Sequence, residues 1–125
     1  MIDEYFQAID ALLATSPIVR EYDVHFDKRS LSRGYLRGDV LFQDDSLLHV
    51  REFVSIGAET ERMVYTYHYQ RADGTLVFRY DNTPHYPGLP HAPHHRHDES
   101  GEVSGVGPPD LESVLQEIEL LIETD

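Results

Sequence analysis

Histidine and proline dominate one short stretch of the chain, residues 81–97, which we call the His/Pro segment. Five of the eight histidines of this 125-residue chain lie between positions 85 and 97, and prolines occupy positions 84, 87, 90 and 93. Because proline fixes φ and removes a backbone donor, the segment is predicted to be a stiff loop rather than a helix or an inner strand. Imidazole titrates near neutral pH, so the segment could transfer protons, bind a metal ion, or form a solvated surface loop.

Proton transfer is the first chemistry that this segment could perform. Two imidazoles beside a scissile phosphate, with a cation to bind it, suffice for metal-free RNA cleavage. One imidazole removes the proton of the 2′-hydroxyl, and the other protonates the leaving oxygen. Arg79, Arg96 or a protonated His97 could supply the cation.

Metal binding is the second chemistry, because imidazole is a good ligand for Zn²⁺ and Ni²⁺. His94, His95 and His97 are too close in sequence to act together from one regular element. A turn that brings in His85 or His91 could complete three ligands. The spacing matches no strong zinc signature, so no cofactor is required, although Zn²⁺ remains possible through this cluster.

Hydrophobic periodicity predicts the elements that must position these side chains. Apolar residues at spacings of three and four indicate helices at both ends of the chain, and alternating patterns indicate strands between them. The predicted helices cover Ile2–Leu13 and Pro109–Glu123, and the predicted strands cover Ile18–Asp27, Tyr35–Gln43, Leu47–Ile56, Arg62–Gln70 and Thr75–Tyr80.

Short loops between successive strands predict an antiparallel meander. The fold class is therefore predicted as α+β, a single domain over residues 1–125. It has a five-stranded antiparallel meander sheet, with the N- and C-terminal helices packed on one face. A three-residue loop at 44–46 is predicted to place Phe42 against Leu48 and Val40 against Val50. The glycine-rich stretch 98–107 is interpreted as a flexible connection, because it lacks the lysine of a phosphate-binding loop.

The last predicted hairpin connects the sheet to the His/Pro segment. If it closes at Asp73-Gly74, His68 lies opposite Arg79 and Thr66 lies opposite Asp81. These four side chains share one face, which is either an ordinary solvated face or the floor of a site. The aromatic side chains at 65, 67, 69, 78 and 80 share the other face, as core under the helices or as a platform for stacking bases.

Charge is the most unusual feature of the composition. The net charge is −13, and a single lysine accompanies nine arginines, as in chains from halophilic or GC-rich sources. Such a chain is repelled by nucleic acid unless its few cations are gathered in one place. The absence of cysteine excludes disulfides and thiolate metal sites. With no membrane-spanning apolar run and no basic segment after Met1, we expect a cytoplasmic protein.

The His/Pro segment also resembles a known family. Residues 81–87 (DNTPHYP), the Leu-Pro pair at 89–90 and residues 93–97 (PHHRH) are similar to the hallmark D-N-x-P-H-H-P…L-x-x-x-P-H-H-K-H of the TumE family. Tyr86 replaces the second histidine of the first pair, and Arg96 replaces the lysine. The order of elements agrees as well: helix, meander, histidine loop, helix.

The resemblance implies the toxin of a type II toxin–antitoxin pair, whose partner is a small DNA-binding antitoxin. It leads us to expect an RNA-cleaving enzyme, a metal-independent endoribonuclease, in which matching residues of the segment do the chemistry. Asn82 would cap the turn or touch the substrate, and a homodimer is compatible with the sequence. The expected catalytic residues are His85, His94, His95, His97, Asp81 and Arg79, and the expected substrate-binding residues are Arg96, Asn82 and His68.

Two other interpretations stay open at this point. The same histidine-rich loop could build a non-catalytic regulatory module that binds a metal or a partner. Alternatively, the acidic surface could act only by docking onto a basic DNA-binding protein.

Overall fold

The fold is α+β, as predicted, and its sheet is larger than expected. The computed structural model describes residues 1–123. The strands form one antiparallel sheet in the order β1 to β7, which leaves β1 and β7 at the edges. The prediction of five strands is therefore wrong. The elements are α1 Ile2–Thr15, β1 Val19–Lys28, β2 Arg33–Phe42, β3 Leu47–Ile56, β4 Thr60–Gln70, β5 Leu76–Asp81, β6 His95–Asp98, β7 Val103–Gly105 and α2 Leu111–Glu123.

The two additional strands lie where a loop and a flexible connection were expected. The run of closely spaced prolines ends at position 93, so the chain can donate backbone hydrogen bonds again, and β6 pairs with β5 from His95 onward. An Asp98 turn then reverses the chain: the Oδ1 atom of Asp98 accepts hydrogen bonds from the backbone N–H groups of Ser100 and Glu102. Gly101 takes a φ of +87°, which glycine adopts without strain. The stretch 98–107 is thus mainly a hairpin.

Alternation along the strands separates a helix side of the sheet from the opposite face. Side chains from both helices and from one face of the strands form a single apolar core. The aromatic face is part of it, with Tyr65, Tyr67 and Phe78 fully buried. The opposite face carries Arg51, His68, Arg79 and His97, and we call it the open face.

Two hairpin registers differ from prediction without changing which face a residue occupies. The β2–β3 hairpin closes through the backbone N–H of Phe42 and the carbonyl of Ser46, so Val40 opposes Leu48 rather than Val50. A shift by two residues preserves the alternation. In the β4–β5 hairpin an irregularity near Gln70 changes the pairing at the tip. Beyond it, His68 opposes Arg79 and Thr66 opposes Asp81, as predicted.

One carboxylate lies inside the core, where the sequence reading did not expect an acid. Glu52 of β3 is fully buried and accepts hydrogen bonds from the hydroxyls of Tyr5 and Tyr67, the latter at 2.6 Å. Arg62 lies close enough to act on it electrostatically. Burial raises the pKa of Glu52, and the lowering effect of the two hydroxyls and of Arg62 does not fully offset it.

We expect Glu52→Gln to change how stability depends on pH. A raised pKa means that the folded state holds this proton more tightly than the unfolded state. The contribution of protonated Glu52 to the free energy of unfolding is therefore lost as pH rises from the unfolded pKa of about 4.3 through the folded value. Urea unfolding between about pH 5 and pH 8 should show the variant gaining stability relative to wild type. The exposed acid control Glu59→Gln should run parallel to wild type, and a parallel line for Glu52→Gln would contradict the prediction.

Candidate active site

Cross-strand pairing on the open face gathers most of the predicted site residues. His68 of β4, Arg79 of β5 and His97 of β6 are direct neighbours in one row. Asp81 and His95 are paired in the next row, beside Thr66. Directly opposed residues lie about 5 Å apart at Cβ, so the two rows form one continuous group.

Asp81 is the centre of this group, with a side chain that is only 4% exposed. Its Oδ2 atom accepts a hydrogen bond from Arg79 Nε at 2.9 Å. Its Oδ1 atom accepts one from the Thr83 hydroxyl at 2.5 Å and lies 2.9 Å from His95 Nε2. Burial disfavours its charge, but the hydrogen bonds from Thr83 and Arg79 outweigh burial and hold the pKa of Asp81 below its ordinary value.

His95 is buried under the 82–94 loop. Its Nδ1 atom lies 2.9 Å from the Pro93 carbonyl oxygen, and the Tyr86 ring lies 4.9 Å away, edge-on. Its Nε2 atom is inaccessible to solvent and forms no well-aligned hydrogen bond within residues 1–123, although Asp81 Oδ1 is 2.9 Å away. The loop therefore fixes the orientation of this ring.

The 82–94 loop is held against β7 at Gly105. A Cβ atom at this position would stand 1.9 Å from the Pro90 carbonyl oxygen, far inside van der Waals contact. Gly105 pairs with His95, so the loop crosses the sheet next to the buried imidazole. Only a residue without a side chain permits this approach.

Gly105→Ala is expected to displace the loop and to lower the free energy of unfolding by about 1–3 kcal/mol, the usual cost of overpacking. Hydrogen exchange should accelerate across residues 82–94 and at His95. Gly88→Ala is the matched control, because the space around that glycine is open. Equal exchange in the two variants would show that the Pro90 contact does not hold the loop.

The histidines at 68 and 97 are half-buried and remain reachable from the open face. Burial and the neighbouring Arg79 charge lower the pKa of His68. Burial, His95 and Arg79 lower the pKa of His97, against the effect of Asp81. Both rings are thus biased toward the neutral form, which suits a general base, whereas a ring that acts as general acid must first take up a proton.

His94 and Arg96 lie on the helix side, because neighbouring residues of a strand point to opposite faces. His94 Nδ1 lies 2.9 Å from the Tyr65 hydroxyl, and the two rings stack. Arg96 donates to Glu117 of α2 at 2.8 Å and lies over the Phe78 and Tyr80 rings. The structure therefore separates these two residues from His95 and His97.

The remaining predicted site residues lie outside the two rows. His85 is exposed in the loop beside Tyr86. Asn82 connects the loop to β4, accepting a hydrogen bond from the backbone N–H of Tyr65 and donating one to the carbonyl of Met63. His91 is exposed as well.

Sequence reasoning did not identify several neighbours of the site. Thr83 lies only two residues after Asp81 and donates to it in a local turn that the Asp-Asn-Thr sequence could have indicated. The contact of Tyr86 with His95 forms only in the folded chain. Arg51 could have been found, because it lies opposite Thr66 once the β3–β4 register is known. A cleft of about 490 Å³ near Tyr69 and Leu121 lies at the other end of β4 and β5, away from Asp81.

These features define an α+β protein with a cluster of histidine, arginine and aspartate side chains on the sheet face opposite the helices, partly covered by the 82–94 loop. Residues 9–124 match the family model described as Toxin TumE, and the chain belongs to that family. No curated protein and no solved structure matches the chain. Over residues 1–123, neither helix has the length and apolar character needed to cross a membrane.

Proposed function

We propose that the chain is the toxin of a type II toxin–antitoxin pair and cleaves RNA in the cytoplasm by metal-free histidine chemistry on the open face. Membership of the TumE toxin family supports the toxin role. The proposed reaction rests on one observation, the row of His68, Arg79 and His97. In this row two half-buried imidazoles lie on either side of a guanidinium.

In the proposed reaction, one imidazole takes the proton of the 2′-hydroxyl, and the 2′-oxygen attacks phosphorus. The other imidazole gives its proton to the leaving 5′-oxygen, so the products are a 2′,3′-cyclic phosphate and a free 5′-hydroxyl. Arg79 stabilises the charge that develops on the phosphate oxygens. Strands β4 and β6 lie about 10 Å apart across β5, which leaves room for a phosphate between the His68 and His97 rings. Asp81 positions Arg79, and His95 is a positioning residue beneath His97.

The open face also offers contacts for an RNA strand despite the acidic charge of the chain. Arg37 and Arg51 oppose each other on β2 and β3, and neither forms an ion pair within residues 1–123. Arg51 lies over the Tyr35 ring, which packs against Phe53. Positive charge combined with partly exposed aromatic rings is typical of surfaces that bind single-stranded nucleic acid.

The proposed partner is a small DNA-binding antitoxin. A net charge of −13 gives the chain a strong negative field, which attracts the basic surface of such a protein. Electrostatic attraction of this kind weakens as salt screens it. Association should therefore be faster at low than at high ionic strength.

The test is cleavage of a short RNA by purified protein in the presence of EDTA. We expect cleavage in EDTA, a cyclic phosphate at the new 3′-end, and resistance of an RNA with a 2′-deoxy sugar at the cleaved position. His68→Ala should lose cleavage, whereas His25→Ala, an exposed histidine on β1, should not. Absence of cleavage by the wild type, or cleavage that EDTA abolishes, would overturn the metal-free mechanism.

A further inference from the structure

We infer that Asp81, His95 and His97 form a binding site for one transition-metal ion of the Zn²⁺ class. Each residue offers one ligand atom, and these three atoms all lie within 4.8 Å of one another. Ligands of a tetrahedral Zn²⁺ ion, each about 2.0–2.1 Å from the metal, lie roughly 3.3 Å apart. Closing the cluster around an ion thus needs only small side-chain movements.

The strongest observation is the buried Nε2 atom of His95. Its partner nitrogen, Nδ1, faces the Pro93 carbonyl at 2.9 Å, and a carbonyl oxygen can only accept. If Nδ1 carries the proton of the neutral ring, Nε2 carries a lone pair. Because Nε2 and Asp81 Oδ1 are 2.9 Å apart without an aligned hydrogen bond, that lone pair points beside the oxygen and not at it. An ion placed beside Oδ1, off the line that joins the two atoms, would bind both that oxygen and the Nε2 lone pair, which has no aligned partner within residues 1–123. A metal-bound histidine typically donates its other N–H to a backbone carbonyl, as His95 does here.

The Asp81 carboxylate is also held in an orientation that suits metal binding. Arg79 occupies its Oδ2 atom and Thr83 contacts Oδ1 from the loop, so the carboxylate cannot rotate freely. The Arg79 charge opposes a second cation nearby. We therefore expect an ion that exchanges with solution, held less tightly than in a closed structural zinc site.

The ligand set also indicates the kind of ion. Two imidazoles and one carboxylate favour Zn²⁺ or a neighbouring transition metal over Mg²⁺ and Ca²⁺, which prefer oxygen ligands. His94 cannot contribute, because it lies across the sheet against Tyr65. This set replaces the grouping of neighbouring histidines considered from sequence. Strand β5 supplies the carboxylate, while strand β6 supplies both imidazoles, two residues apart and on one face.

The site has a consequence for RNA cleavage, and only this consequence rests on the proposed function. A His97 nitrogen that coordinates Zn²⁺ has no lone pair for a proton. Metal binding and acid–base catalysis by His97 therefore exclude each other at that atom. Zn²⁺ should inhibit metal-free cleavage, and EDTA should restore it.

The test is metal binding itself, measured on the full chain after treatment with EDTA and dialysis into chelator-free buffer. Calorimetric titration with Zn²⁺ should give one ion per chain, and Zn²⁺ should raise the melting temperature. Co²⁺ should produce the visible absorption of a low-symmetry site. Half-buried His97 can be replaced with little risk to folding, so His97→Ala should weaken Zn²⁺ binding at least about tenfold, while exposed His85→Ala should bind as wild type does.

The outcomes separate this site from the proposed function. No Zn²⁺ binding by the wild type, or equal binding by His97→Ala and wild type, would overturn the metal site. Stoichiometric binding that depends on His97 supports it whether or not the protein cleaves RNA. Cleavage without any Zn²⁺ binding overturns the metal site and leaves the proposed function standing.

Discussion

His97→Ala is expected to reduce RNA cleavage by about 10²–10⁴-fold, the range that loss of a general acid or base produces. The ring is reachable from solvent on the open face and is the direct neighbour of Arg79. Single-turnover cleavage of a labelled RNA measures the effect, with circular dichroism to verify folding. Growth arrest on expression in cells should be lost in parallel.

His94→Ala is the matched control, because it removes an imidazole only three residues away on the helix side. Its contact with the Tyr65 hydroxyl is a single hydrogen bond, worth about 1 kcal/mol of stability. Cleavage should therefore stay close to the wild-type rate. If His94→Ala is inactive while His97→Ala remains active, the reaction takes place on the helix side and the open-face site is wrong.

Asp81→Ala is expected to have the largest effect on stability, lowering the free energy of unfolding by about 3 kcal/mol. The substitution removes the charged acceptor of the Thr83 hydroxyl and of the Thr83 backbone N–H, which hold the start of the 82–94 loop, and it leaves a void beside buried His95. Arg79 contributes little to this figure, because its side chain is 40% exposed and solvent screens the pair. Urea unfolding measures the change.

Asp39→Ala provides the comparison, since Asp39 also contacts a histidine through one oxygen. The Asp39–His49 pair is 3.0 Å long, but both side chains are about half exposed. Its removal should cost less than about 1 kcal/mol. Similar losses for the two variants would show that Asp81 does not organise the loop and β6. Asp81→Asn should fall between them, because its remaining carbonyl oxygen can still accept from Thr83.

Much of the fold could be predicted because each long helix or strand has a regular spacing of apolar residues that identifies it. Both helices and the first five strands follow from hydrophobic spacing, and their ends differ from prediction by at most two residues. The Asp73-Gly74 turn was enough to place His68 opposite Arg79 and Thr66 opposite Asp81. Two details of register were not predictable. The β2–β3 pairing is displaced by two residues along its whole length, which leaves the alternation of side chains unchanged, and the β4–β5 pairing is irregular next to Gln70.

Strands β6 and β7 could not be predicted for a physical reason. They contain four and three residues, too few for an alternating pattern, and β6 reads His-Arg-His-Asp, with no apolar residue. Their stability comes from pairing with β5, which is a property of the whole sheet. The grouping of His94 with His95 followed from treating this stretch as a loop, where alternation does not apply.

Glu52, by contrast, is a residue whose burial could have been predicted from the alternation of side chains along β3. It occupies the apolar parity of β3, between Val50 and Val54, so a buried acid could have been expected. The sequence does not reveal which groups donate hydrogen bonds to the buried carboxylate. The two tyrosine hydroxyls that bind it come from α1 and β4, elements distant along the chain.

The two edges of the sheet differ in how they can meet another chain. Strand β7 spans three residues and is a poor template for an added strand, whereas β1 spans ten. Glu21, Asp23 and Asp27 are exposed along β1, so a second copy pairing there would bring like charges together. Concentrated salt weakens this protection, because the Debye length shrinks to about 3 Å at 1 M. The acidic side chains along β1 therefore oppose edge-to-edge association of two copies, and they oppose it less in concentrated salt.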